Sequence, residues 1–193
     1  MTIKLILASS SKYRAHCLEK LNIPFVAISP NIDENPKANE SPNALALRLA
    51  KEKAYALKKQ FPNHLIIGSD QVACFDNQLI GKPGSYQQTI EQLQRQSGQT
   101  VIFYTGLCVL NSSTNQCYTD LDQTTVFFRA LSDKQISNYV EQEQPFDCAG
   151  GFKSEGLGIA LFNKIESEDP NALIGLPLIK LINLLKKFNF DIL

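Results

Sequence analysis

Runs of strand character and runs of helical character alternate along the chain, and that alternation is what most narrows its fold. Residues rich in β-branched and aromatic side chains fall at Lys4–Ala8, Leu65–Phe75, Thr100–Leu110, Tyr118–Phe128 and Gly158–Ile165. Helical periodicity falls at Lys12–Leu21, Ser41–Gln60, Tyr86–Gln96, Asp133–Glu143 and Leu173–Lys187. Ser41 precedes a first-turn proline and Ser132 an acidic first turn, both ordinary start signals. The pattern predicts an α/β fold with a mixed, largely covered sheet. Turn-forming residues at Asp76–Gln78 and Asn111–Gln116 read as hairpin connections, so the sheet is not purely parallel. With 193 residues, 44% of them hydrophobic, the chain can bury a full core as one domain over 1–193.

Charge and cysteine content then exclude several functions. Lys plus Arg and Asp plus Glu number 19 each, so no basic surplus drives binding to a nucleic-acid polymer. An anionic ligand must be met by a local group of cations. The five cysteines are an odd number with no C-x-x-C spacing, and only two histidines could join them. That speaks against a zinc site or a disulfide framework and for reduced core thiols in a cytoplasmic protein. No apolar run approaches the roughly 20 residues of a membrane span, and the N-terminus lacks a signal-peptide layout.

Against this background a few residues stand out. In "HLIIGSDQVACF" Asp70 interrupts an apolar run with no turn signal until Asp76-Asn77. A carboxylate inside a strand calls for a cation, a metal or several donors, so Asp70 is read as a site residue. In the helix starting near Ser41, Leu45, Ala46, Leu49, Ala50 and Leu57 share one side at about 100° per residue, and Lys53 falls in the middle of that stripe. Either Lys53 reaches outward along its alkyl stem or it points into a site that wants a cation. "NIDE", with Asp33 and Glu34 in a loop, is either a solvated acidic loop or a source of oxygen ligands for a hard divalent cation. Lys82 in "IGKPG" is confined between glycine and proline, which suits a phosphate contact. "LILASSSKYR" runs from an apolar strand into three serines and Arg14, which fits a helix cap or an anion site.

The segments "LASSSKYR", "NIDE", "LAKEKA", "GSDQV", "GKP", "YTGLCV", "FDCAGGFKSEGLG" and "DPNALIGLPL" occur in order across nearly the whole chain. Together they closely resemble the Maf-like nucleoside triphosphate pyrophosphatases. The resemblance implies a strongly twisted sheet with flanking helices, two lobes around a central cleft, and hydrolysis between the α- and β-phosphates with Mg²⁺ or Mn²⁺. It implies that Ser9 and Arg14 bind phosphate at the first helix, where free N–H groups favour an anion. It gives Glu34 and Asp70 to the metal and the attacking water, and Lys53 and Lys82 to the triphosphate. Asp70 is general base or metal ligand, two roles the sequence does not separate.

Within that family, members acting on dTTP and UTP typically have arginine, threonine and glutamine where this chain has Tyr13, Gln71 and Glu155. The resemblance therefore lies with the branch hydrolysing 7-methyl-GTP, whose base carries a delocalised positive charge. An aromatic face at Tyr13 and a carboxylate at Glu155 suit such a ring. Three departures stand beside it: Lys12 replaces a usual proline, Ala15 a frequent arginine, and Tyr13 a tryptophan. The glycines of "AGGFKSEGLG" are read as backbone that approaches the base closely. The family also suggests a homodimer, and its link to cell-division arrest leaves a noncatalytic nucleotide-binding regulator as the competing class.

Overall fold

Strand β1 (Lys4–Ala8) buries every residue after its first, the mark of a strand covered on both faces. It lies parallel to β2 (Phe25–Ile28) on one side and to β3 (His64–Phe75) on the other. Parallel neighbours require crossover connections, and two helices supply them: α1 (Lys12–Glu19) between β1 and β2, and α2 (Pro42–Ala56) between β2 and β3. The computed structural model describes residues 4–193. The remaining elements are β4 (Gln78–Ile80), α3 (Tyr86–Gln96), β5 (Thr100–Asn111), β6 (Cys117–Phe128), α4 (Asp133–Glu143), β7 (Phe162–Glu166) and α5 (Leu178–Lys186). The fold is mixed α/β.

The chain forms two compact units. One comprises the chain up to Gln71, Thr105–Asp122 and Asp169–Leu193; the other comprises Val72–Tyr104 and Gln123–Glu168. In the first unit the strand order is β2-β1-β3-β5-β6. Successive strand residues point to opposite faces, and the core divides accordingly. Leu5, Leu7, Leu65, Ile67, Leu107 and Val109 pack against Cys17 and Leu18 of α1 and Leu181, Leu184 and Leu185 of α5. Ile6, Ala8, Ile66, Cys108 and Leu110 pack against Ala50, Ala54 and Leu57 at α2.

In the second unit β4 folds back antiparallel on β3, and β7 runs antiparallel to β6 with a register shift at Phe127/Phe128. Helix α4 begins with a capping box between Ser132 and Gln135 and packs on α3. Phe103, Phe128, Phe152 and Phe162 meet edge to face.

Two local expectations need correction. The helical pattern at Leu173–Lys187 yields a helix only from Leu178, because Gly175 sits at φ 116° and Pro177 caps the helix after it. The strand expected from Gly158 begins at Phe162, since Leu157–Leu161 winds into a 3₁₀ turn. Phe25–Ile28 adds an edge strand to the sheet, with Val26 exposed.

Candidate active site

The site in the first unit starts from two glycines. A Cβ on Gly68 of β3 would stand 2.1 Å from the carbonyl oxygen of Ala50, and one on Gly106 of β5 would stand 2.3 Å from that of Ala46. Helix α2 therefore rests its backbone directly on two strands. This seat carries Lys53, 5% exposed, to a position where Nζ lies 2.5 Å from Asp70 Oδ1 and 2.7 Å from Glu34 Oε1. The lysine in the apolar stripe does not reach outward; it ties a carboxylate of β3 to one of the acidic loop. Two charge-assisted contacts offset the desolvation of an ammonium so deeply placed.

Asp70 is itself 7% exposed. A second cation approaches it, Arg14, with Nη2 4.0 Å from Oδ1. Burial pulls the Arg14 guanidinium below its ordinary pKa, while Asp70 and then Glu34 push it back up. Its Nε donates to Gly175 O at 2.9 Å and its Nη1 reaches Ser9 Oγ at 3.5 Å. Ser9 Oγ also accepts from Ser11 N–H, and Ser11 caps α1 by accepting from Arg14 N–H. The serine cluster is thus both a helix cap and one wall of the charged site. Both cations meet Asp70 through Oδ1, and among the described residues Oδ2 takes no hydrogen bond.

The acidic loop separates its two carboxylates. Asp33 Oδ1 turns back to accept from the N–H and side-chain amide of Asn35, at 3.0 and 2.7 Å. Glu34 is left to face Lys53. Arg48, just over one turn before Lys53 on α2, anchors the chain beyond Glu34: it donates to Asn35 O at 3.0 Å and grips Glu40 at 2.6 and 2.8 Å. That grip, with the Lys37 backbone N–H, pulls the Glu40 carboxyl down to about 2.

The segment "DPNALIG" carries contacts that sequence reasoning missed. Ser69, fully buried, stands 2.9 Å from the carbonyls of both Gly106 and Gly175. Gln71, expected to meet substrate, spends its Nε2 on Thr105 Oγ1 and the carbonyls of Ala172 and Leu173. Thr105 Oγ1 donates to Ala172 O at 3.0 Å. Asp169 accepts from Asn171 and Ile179 N–H and so fastens the other end of the segment. A run of turn residues next to a helix start was the available signal. Tyr13 is half-buried, and Lys12 Nζ lies 5.1 Å from its ring centroid.

Lys82 and Glu155 belong to the second unit, and both are exposed. Lys82 has no ion pair or hydrogen bond among the described residues, although buried Pro83 and the bond from Gly84 N–H to Phe146 O hold its turn. Glu155 meets Ser154 Oγ at 3.5 Å. The glycines around it have a local cause: a Cβ on Gly158 would stand 2.2 Å from Lys153 O, and one on Gly150 would stand 2.8 Å from the Phe103 ring. Their density is accounted for by packing inside the unit.

The donor set fits one class of metal. No group of three His, Cys, Asp or Glu side chains able to hold an ion occurs among the described residues. Glu34 and Asp70, brought within reach of one lysine nitrogen, offer only carboxylate oxygens. A hard cation that takes one or two carboxylates and completes its shell with waters and phosphate oxygens suits them; a zinc-type cage does not.

Residues 4–188 match the family described as "Maf-like protein". Curated relatives named "7-methyl-GTP pyrophosphatase" include one from Pseudoalteromonas atlantica, 55% identical over 98% of this chain and 97% of the relative. One from Vibrio vulnificus is 53% identical over 98% and 97%, and one from Colwellia psychrerythraea 51% over 98% and 94%. No described helix is long and apolar enough to cross a membrane. On the match across nearly its full length, this chain belongs to the Maf-like family.

Proposed function

We propose that the protein hydrolyses 7-methyl-GTP between the α- and β-phosphates, releasing 7-methyl-GMP and pyrophosphate, with Mg²⁺ or Mn²⁺ held by Glu34 and Asp70. The observation that carries this reading is the bridge of Lys53 between Glu34 and Asp70 with Arg14 beside it. The metal, when bound, neutralises phosphate charge and lowers the pKa of bound water. Asp70 accepts the proton of the attacking water through Oδ2, while Lys53 fixes the carboxylate through Oδ1. Arg14 and Ser9 receive phosphate at the start of α1, where the helix dipole adds to the guanidinium charge. Lys82 supplies a further cation to the triphosphate. Such chemistry asks mainly for positioning and charge neutralisation, which these groups provide. Tyr13 and Glu155 favour the cationic ring, and Gln71 acts by holding the Ala172-Leu173 backbone in place.

One contact favours a second reading, the same hydrolysis of a nucleotide with a neutral base. The Lys12 ammonium over Tyr13 opposes a cationic ring at that face. A panel of nucleoside triphosphates assayed for pyrophosphate release decides between them. Preference for 7-methyl-GTP over GTP that narrows in Glu155→Gln supports the first reading; equal rates on both nucleotides in the native protein overturn it. Release of orthophosphate alone would refute both.

A further inference from the structure

Hairpin strands β5 and β6 bring Cys108 and Cys117 together, with their sulfur atoms 3.2 Å apart. A disulfide bond measures about 2.05 Å, so an approach of roughly 1 Å would close one. The two thiols are unlike in setting. Cys108 is fully buried in the cluster with Ile6, Ala50, Ala54 and Ile66, whereas Cys117 lies at its edge, half-buried. Helix α2 presents Tyr55 to the same cluster, and the charge of Lys51 acts on both sulfurs. The Cys117 thiol is drawn below its ordinary range, first by its contact with Cys108 and then, against its partial burial, by Lys51. Cys108 is pushed the other way, by its contact with Cys117 and by burial. One sulfur is therefore reachable from the surface, and the other is enclosed beside it.

We propose that Cys108 and Cys117 form a thiol–disulfide exchange site that takes a small disulfide of the glutathione type. The Cys117 thiolate attacks one sulfur of the small disulfide, forming a mixed disulfide and expelling one small thiolate. Cys108 gives its proton to that departing thiolate and attacks the Cys117 sulfur, displacing the second small thiolate, which takes back from water the proton that Cys117 released on ionising. Two protein thiols are oxidised to one disulfide, and the small disulfide is reduced to two thiols. The site is separate from the charged groups around Asp70 and stands whether or not the proposed hydrolysis holds.

The full chain is incubated with oxidised and reduced glutathione at stepped ratios, quenched by acid, alkylated in denaturant and read by intact mass and peptide mapping. The expected product loses two hydrogen masses, loses two of its five alkylatable cysteines at positions 108 and 117, and regains both with dithiothreitol. In Cys108→Ser the attacking thiol lacks its partner, so a glutathione adduct accumulates on Cys117. Cys117→Ser, altered at the half-buried position, gives neither product. The proposal fails if both cysteines stay alkylatable in the native chain at every ratio, if the native chain stops at the glutathione adduct, or if another pair of cysteines forms the bond.

Discussion

Lys53 and Lys82 are both candidate cations for a triphosphate, and their surroundings differ in kind. In the first unit Lys53 is enclosed, seated by a helix backbone on two strands, and already bonded to Asp70 and Glu34. In the second unit Lys82 ends in solvent on a turn whose backbone is held but whose side chain is not. The first arrangement costs desolvation and ordering while the protein folds; the second leaves the ordering of the side chain to the moment of binding. Two lysines with one proposed role, phosphate neutralisation, should therefore separate cleanly when stability and turnover are measured side by side.

Asp70→Asn keeps the shape of the group and removes its ability to take a proton. Turnover on 7-methyl-GTP in a metal-replete assay should fall by about 10³-fold, and because Lys53 then keeps only Glu34 as a charged partner, the fold should persist with a stability loss of up to about 3 kcal/mol. A rate within a few-fold of native would remove Asp70 from the chemistry. Lys53→Met leaves Asp70 buried beside Arg14 alone. Denaturant unfolding should show a loss of about 3 kcal/mol along with the loss of activity, a coupled effect. Lys82→Met should slow turnover yet change stability by no more than about 0.5 kcal/mol, because nothing described bonds to that side chain. Equal destabilisation by the two substitutions would erase the contrast between the units.

Two finer tests sharpen it. Lys12→Ala frees one face of the Tyr13 ring, and the preference for 7-methyl-GTP over GTP should rise about threefold, the scale of an exposed cation–π contact. An unchanged ratio would take Tyr13 out of base recognition. The grip of Arg48 on Glu40 depends on an ionised carboxylate whose pKa lies near 2 rather than the ordinary 4.5. Because the folded value is the lower one, this contribution is complete above pH 4.5 and is lost as pH falls toward 2. Protection of the amides across 35–40, measured against their intrinsic exchange rates at each pH, should fall only in that acid window, and Glu40→Gln should show the lowered protection already at neutral pH.

Much of the fold was legible because apolar periodicity is a local property. The boundaries that slipped were set by tertiary context: Gly175 and Pro177 override the helical pattern before Leu178, and Gly158 is drawn against Lys153 O rather than into a strand. In the site, Lys53 and Asp70 were readable as charges in apolar company, and that same conflict is what brings them together. The sequence offered no means of seeing that Asp33 would satisfy itself on Asn35 while Glu34 reached Lys53, since adjacent carboxylates differ only in how the loop turns. Nor could it separate the reachable thiol of Cys117 from the enclosed one of Cys108, which depends on which strand neighbour each sulfur meets.

The glycine seat beneath α2 has a consequence for tolerance to change. Main-chain atoms, not interlocking side groups, set the spacing between that helix and the strands at Gly68 and Gly106. The outward residue Ala44 can therefore be exchanged while the ammonium of Lys53 keeps its place. A single methyl group added at either glycine would lift the helix off its bed and carry that ammonium away from both of its carboxylates.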